Sequence, residues 1–271
     1  MRTLVFYFSG TGNTKWAAET FCREAEAGGH AAEAVSIDRL DPTVPALLER
    51  VRGADYVGFA YPIYAAGMPR IMREFILGFG RRLREERVRK PAVFLCTFAY
   101  VNGFGPFCTA GLLRGSGLTM AAHLNLRLCN NVSTPAMKAG KLSAKTMRKR
   151  FDRARGQISA LVPRLASGRR WITGVGPYLA AGVIIRSTLG KKAAKNYQQI
   201  SVEMDRCSRC MRCVRECPTQ SFRFENGVFS VLPGCTACLR CYNFCPQYAV
   251  RIGEYVDPAV CPRYRGPNSL S

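Results

Sequence analysis

Eight of the thirteen cysteines fall in two runs of identical spacing. Cys207-Ser-Arg-Cys210-Met-Arg-Cys213-Val-Arg-Glu-Cys217-Pro218 returns 28 residues later as Cys235-Thr-Ala-Cys238-Leu-Arg-Cys241-Tyr-Asn-Phe-Cys245-Pro246. Three cysteines two residues apart wrap a short loop around one 4Fe-4S cube, and the fourth, followed by proline, is displaced toward a neighbouring cluster. The spacing therefore predicts two 4Fe-4S clusters with crossed ligand sets: Cys207, Cys210, Cys213 and Cys245 on one, and Cys235, Cys238, Cys241 and Cys217 on the other. Neither half closes without the other's last cysteine, so both must fold back on each other in one small domain.

The competing chemistry is zinc, but a structural zinc site draws on two separated pairs rather than on four cysteines strung in one run. Neither histidine, His30 or His123, lies near the runs. A disulfide framework fits less well, because no secretory hydrophobic segment opens the sequence and the cysteine count is odd. The expected compartment is the reducing cytoplasm.

The halves agree beyond their ligands. Arg212 matches Arg240, and Phe222-Arg223-Phe224 matches Val250-Arg251-Ile252, so each unit is a ligand loop, a helical turn and a strand. Between them, Asn226-Gly227 supplies the two positive-φ residues of a type I′ hairpin turn. From Met204 to about Gly253 the chain resembles the bacterial two-cluster ferredoxins over their whole length.

At the other end, Thr3 to Phe8 is a continuous apolar run suited to a parallel strand buried on both faces. It breaks into Ser9-Gly10-Thr11-Gly12-Asn13-Thr14, after which helical periodicity begins. Small and hydroxyl residues between strand and helix form a nest of backbone N–H groups that suits a phosphate. The segment lacks the Gly-Lys-Ser/Thr ending of a nucleoside-triphosphate loop and the Gly-x-Gly-x-x-Gly of a dinucleotide site. Position for position it resembles the phosphate loop of flavodoxins. That resemblance implies FMN, and it directs attention to two later strand ends where ligands of open α/β sheets sit. One carries Pro62, Ile63, Tyr64 and Gly67, similar to the family's isoalloxazine loop, with Tyr64 expected to stack on the ring and turn its hydroxyl to water. The other carries Thr97, Phe98, Ala99, Tyr100, Asn102 and Gly103, expected to cover the opposite flavin edge. Taken singly, each is also an ordinary strand-to-helix turn.

Strands near residues 2–8, 30–37, 54–60, 91–97 and 121–129 predict a flavodoxin-like, doubly wound five-stranded parallel sheet of order 2-1-3-4-5. The expected organisation is an α/β FMN domain over 1–167, a basic and apolar connector over 168–200, a small α+β two-cluster domain over 201–256 and a mobile tail over 257–271. At the fifth strand end the chain has Leu128-Cys129-Asn130-Asn131-Val132, which departs from the Met-Pro-x-Asn-Tyr of fused relatives. The whole resembles the flavodoxin-ferredoxin fusion proteins of anaerobic bacteria and archaea. That implies electron transfer between one-electron and two-electron partners. A catalytic reductase fed through the clusters is the alternative, with Tyr64 and Tyr100 as conceivable proton donors and no dinucleotide fingerprint.

Net charge is +22, of which +14 lies in residues 136–200, where 15 basic residues meet only Asp152. Lys138 to Arg155 reads as the last helix of the sheet domain with a basic outer face. Three expectations compete for it: a solvated face, a docking surface for an acidic redox protein, and a peripheral contact with an anionic membrane or nucleic acid. No nucleic-acid fold accompanies the charge. The apolar stretch 171–186 contains Pro177, three glycines and Arg186, a poor match to a span of about 20 apolar residues. The flavin loops carry no acidic residue, whereas Arg206, Arg209, Arg212 and Arg215 interleave the first cysteine run, favouring a higher potential for its cluster. Cys108 and Cys129 read as buried structural thiols and Cys261 as a leftover.

Overall fold

The computed structural model describes residues 1–64, 67–100, 102, 105–131, 142–174, 199–253, 263–264 and 266–267, with Cys108 described by its backbone alone. A parallel sheet of order β2-β1-β3-β4-β5-β6 is built from Arg2–Tyr7, Ala31–Ser36, Tyr56–Pro62, Lys90–Phe98, Leu118–Arg127 and Trp171–Ile172. The central strands are apolar at consecutive positions because helices cover both faces. α1 (Asn13–Ala27) and α5 (Ala144–Ala166) enclose Val5, Phe21, Leu95, Leu124 and Ile158 on one face. On the other, α2 (Pro45–Arg52), α3 (Arg70–Glu85) and α4 (Gly105–Leu113) enclose Phe6, Phe59, Phe75, Phe79 and Phe94. Each fully buried aromatic or aliphatic side chain contributes about 1.5–3 kcal/mol, so both faces are needed to hold the sheet.

The strand order is the expected one with a sixth strand added. Trp171 and Ile172, assigned from sequence to the connector, pair with Ala122 and His123. Two local contacts explain the addition. Arg164 stacks over Trp171 at 4.3 Å, and Thr173 Oγ1 accepts from the Asn125 N–H and donates to the His123 carbonyl. The turn between α5 and this strand uses Gly168 at φ +68°. On α5, Phe151, Ala154, Ile158, Leu161 and Leu165 face the core, while Lys145, Arg148, Lys149, Arg153 and Arg155 are exposed. Residues 138–141 of the basic stretch, the connector from 175 to 198 and Cys261 lie outside the described residues. Among the described residues no helix is long and apolar enough to cross a membrane.

The C-terminal unit has two antiparallel ribbons. β7 (Ile200–Val202) pairs with β10 (Val250–Ile252), and β8 (Phe222–Glu225) with β9 (Val228–Val231) across Asn226 and Gly227 at φ +51° and +79°. Its core gathers Ile200, Phe222, Leu239, Tyr242 and Val250 among the cysteines. The described tail residues are not loose as expected. Arg263 stacks over Tyr242 at 3.2 Å, and Tyr264 donates its backbone N–H to Asn243 Oδ1.

Candidate functional site

The 28-residue repeat is written into the backbone as well as the ligands. Left-handed φ values recur at Arg209 and Ala237, at Met211 and Leu239, and at Gln220 and Tyr248, all non-glycine residues. Each such residue costs of order 1–2 kcal/mol, so the loops need a compensating interaction. The conformation curls each loop inward, with the backbone N–H of Arg209 on Cys207 Sγ at 3.4 Å and that of Ala237 on Cys235 Sγ at 3.3 Å. α6 (Arg212–Arg215) and α7 (Arg240–Phe244) continue from the two loops.

Electrostatic neighbours sort the thiols into two groups. Cys213 senses Cys245, Cys207 and Cys210, whereas Cys241 senses most strongly Cys238, Cys235 and Cys217, and Cys213 after them. The fourth cysteine of each run thus stands with the other run, as the crossed arrangement requires. A pocket is lined by Cys207, Cys210, Cys213, Cys241 and Cys245. Among the described residues no three metal-binding side chains converge on a single-ion site. Burial pushes the Cys213 thiol up to about 11 and Cys238 to about 12, so ligation displaces protons from both. The donor set fits iron-sulfur clusters.

Near the N-terminus of the chain, Gly12 at φ +104° turns β1 into α1 and donates its N–H to Ser9 Oγ at 3.1 Å. Three strand ends converge on this loop. Thr14 Oγ1 and Thr97 Oγ1 bond at 2.8 Å, and the Ile63 N–H donates to the Thr97 carbonyl at 2.8 Å. Tyr64 and Gly67 exchange backbone bonds at 2.9 Å, closing the turn after Pro62. Asn13 anchors the loop to β5 by donating to the Cys129 carbonyl at 3.0 Å. Phe98 ends β4, the Ala99 carbonyl accepts from Arg127, Tyr100 is exposed, and Asn102 approaches Gly174. Gly103 lies outside the described residues. Cys129 is buried, as expected of a structural thiol.

Tyr64 departs from expectation. Its hydroxyl is buried rather than turned to water, held by the Gly10 backbone and the Asn131 side chain, and burial raises its pKa well above the usual phenol range. A Cβ on Gly10 would lie 2.4 Å from that hydroxyl and 2.7 Å from the Cys238 carbonyl, so only glycine fits. The Tyr64 oxygen occupies an acceptor position against the nest that a phosphate oxygen can take. The backbone donors of the loop therefore fit an anionic group.

The two sites meet through contacts that the sequence reading did not assign. Arg240, between Cys238 and Cys241, donates from Nη2 to the Ser9 carbonyl at 2.7 Å and from Nε to the Gly10 carbonyl at 3.3 Å. Its Nη1 pairs with Asp38 at 2.7 Å and reaches the Glu216 carbonyl at 2.9 Å. Asn131 Nδ2 donates to the Cys238 carbonyl at 3.2 Å, and Asn243 Nδ2 donates to the Asn131 carbonyl at 3.0 Å. The tail completes the seam. Tyr264 donates to Asn13 Oδ1, and Gly266 and Pro267 lie 3.3 and 3.2 Å from where a Gly12 Cβ would be. One signal for Arg240 was present in the repeat. Arg212 pairs with Glu216 four residues on, but the equivalent residue after Arg240 is Phe244, so Arg240 must find its carboxylate elsewhere.

Residues 199–246 match the family described as a 4Fe-4S dicluster domain. Among curated proteins no sequence matches the chain. Among solved structures, the chain is similar to a flavodoxin from the domain Archaea, at 15% identity and a TM-score of 0.44, over 61% of this chain and 99% of that one. It is similar to Megasphaera elsdenii flavodoxin at 17% identity and 0.37, over 46% and 85%. It is also similar to an NAD(P)H:quinone oxidoreductase from Methanothermobacter marburgensis at 16% identity and 0.39, over 59% and 98%. The strand order itself establishes the flavodoxin-like topology of the sheet, and the matched segment coincides with the two cysteine runs.

Proposed function

We propose that the chain is an electron-transfer flavo-iron-sulfur protein that passes electrons between two 4Fe-4S clusters and FMN, linking one-electron and two-electron partners. The observation that carries this reading is the seam between the ligand loop and the phosphate loop. The Cys238 carbonyl and Cβ would lie 2.7 and 3.2 Å from a Cβ on Gly10, and Arg240 joins both loops. FMN, when bound, supplies exchange of two electrons singly or together, whereas a cubane carries one.

The chain's own residues do the rest. Ser9, Gly10, Thr11, Gly12, Asn13 and Thr14 hold the phosphate, and the 62–67 and 97–103 turns flank the ring. Cys207, Cys210, Cys213 and Cys245 hold one cluster, and Cys217, Cys235, Cys238 and Cys241 the other. The second set lies at the seam, so it is the one that exchanges with the flavin. Chain purified without oxygen is expected to contain about eight iron, eight sulfide and one FMN, and to take up about four electrons in a reductive titration. Zinc in place of iron, or no flavin absorbance, overturns the reading.

A further inference from the structure

Resting on that electron-transfer reading, we infer that an acidic one-electron carrier protein docks on the face formed by Arg209, Arg215, Arg39 and Lys15, rather than on the basic face of α5. The sequence places its densest charge on α5, yet that helix packs on α1 and β5 and carries no cluster ligand.

Cys210 is exposed, and it stands beside exposed Arg209 in the first ligand loop. Five residues further on, Arg215 lines an open cleft together with Lys15, Arg39, Arg240 and Cys217, at the mouth of the phosphate loop formed by Ser9, Gly10 and Gly12. Cys217 of the second set lines this cleft, and Glu216, Arg240 and Phe244 line both it and the neighbouring pocket that contains Cys210 of the first set. Its acidic residues are largely engaged: Asp38 with Arg240, Glu216 with Arg212, and Glu203 with Arg206, while Asp205 is exposed. Arg39 donates to the Arg215 carbonyl, and among the described residues none of Arg39, Arg209 and Arg215 is in an ion pair. Lys15 holds a loose 3.6 Å pair with Glu19. Positive charge left over around the thiols steers a negatively charged partner and sets its orientation, mainly through the association rate. In the exchange, one electron leaves the partner's reduced centre and enters an oxidised cluster; no bond breaks and no proton moves.

The test uses the holoprotein and a dithionite-reduced acidic two-cluster ferredoxin as probe, with second-order reduction rates measured in stopped flow across a salt series. Arg209→Glu/Arg215→Glu is expected to slow reduction about tenfold or more at low salt and to flatten the salt dependence. Lys145→Glu/Arg148→Glu on α5 is expected to stay within about twofold. The opposite ranking, or equal loss from both, overturns the assignment. Arg39→Glu, outside the ligand loops, serves as the second variant and is expected to follow the first. Iron, sulfide and EPR signals of each variant separate the two levels: a wild type without clusters defeats the electron-transfer reading, whereas intact clusters with unchanged rates defeat the docking face alone.

Discussion

Replacing Cys217 with alanine is expected to cost the chain the cluster of the second run, although Cys217 belongs to the first. Iron and sulfide should fall from about eight to about four per chain, and the surviving EPR signal should match that of Cys238→Ala rather than that of Cys210→Ala. The reason is the grouping of thiols, in which Cys241 senses Cys238, Cys235 and Cys217 ahead of Cys213. Cys245→Ala is the mirror experiment and should resemble Cys210→Ala, because Cys245 stands with Cys213. If Cys217→Ala instead behaves like Cys210→Ala, each run ligates its own cluster and the crossed fold-back is wrong.

Arg240→Ala is expected to leave iron, sulfide and FMN bound but to slow electron exchange between clusters and flavin by about tenfold or more, since small displacements of a positioned pair have large rate effects. The guanidinium holds the Ser9 and Gly10 carbonyls, the Glu216 carbonyl and the Asp38 carboxylate at once. The Arg240 and Asp38 side chains are 17% and 26% exposed, so the pair is screened in part; its loss should loosen the seam by about 2–4 kcal/mol, somewhat less than a fully buried pair. Arg240→Lys should not rescue the rate, because an ammonium cannot span a carboxylate and carbonyls in one plane as the fork does. Flavin reduction at the wild-type rate in Arg240→Ala would show that the seam does not govern exchange.

The legible parts of this molecule were those whose chemistry fixes spacing. Two cysteine runs of one spacing mark the segment that matches a 4Fe-4S dicluster domain, and a glycine- and hydroxyl-rich turn after an apolar run marks the first strand-to-helix junction of the parallel sheet. Asn226-Gly227 read correctly because a type I′ turn depends on those two residues alone. Contacts across the seam left no such pattern. Arg240 repeats Arg212, and its different fate depends on Phe244 replacing a carboxylate and on Asp38, 202 residues earlier in the chain. Tyr264, Gly266 and Pro267 follow no periodicity, so the tail read as loose although it lies on Gly12 and Asn13. The short β6 escaped notice because two paired residues carry no alternation, and its place depends on Arg164 and Thr173. The Tyr64 hydroxyl was expected to face water, but in the structure it finds donors at Gly10 and Asn131, contacts across the seam that leave no local pattern.

Clusters and flavin are expected to exchange electrons within one chain, and the dependence of the rate on protein concentration separates this from exchange between chains. Holoprotein reduced by one equivalent of dithionite without oxygen should show cluster bleaching followed by flavin bleaching, the second phase first-order with a rate constant unchanged over a wide range of protein concentration. A flavin phase whose rate rises in proportion to concentration would mean that electrons pass between chains, contradicting the seam between the Cys238 loop and Gly10 as the electron path.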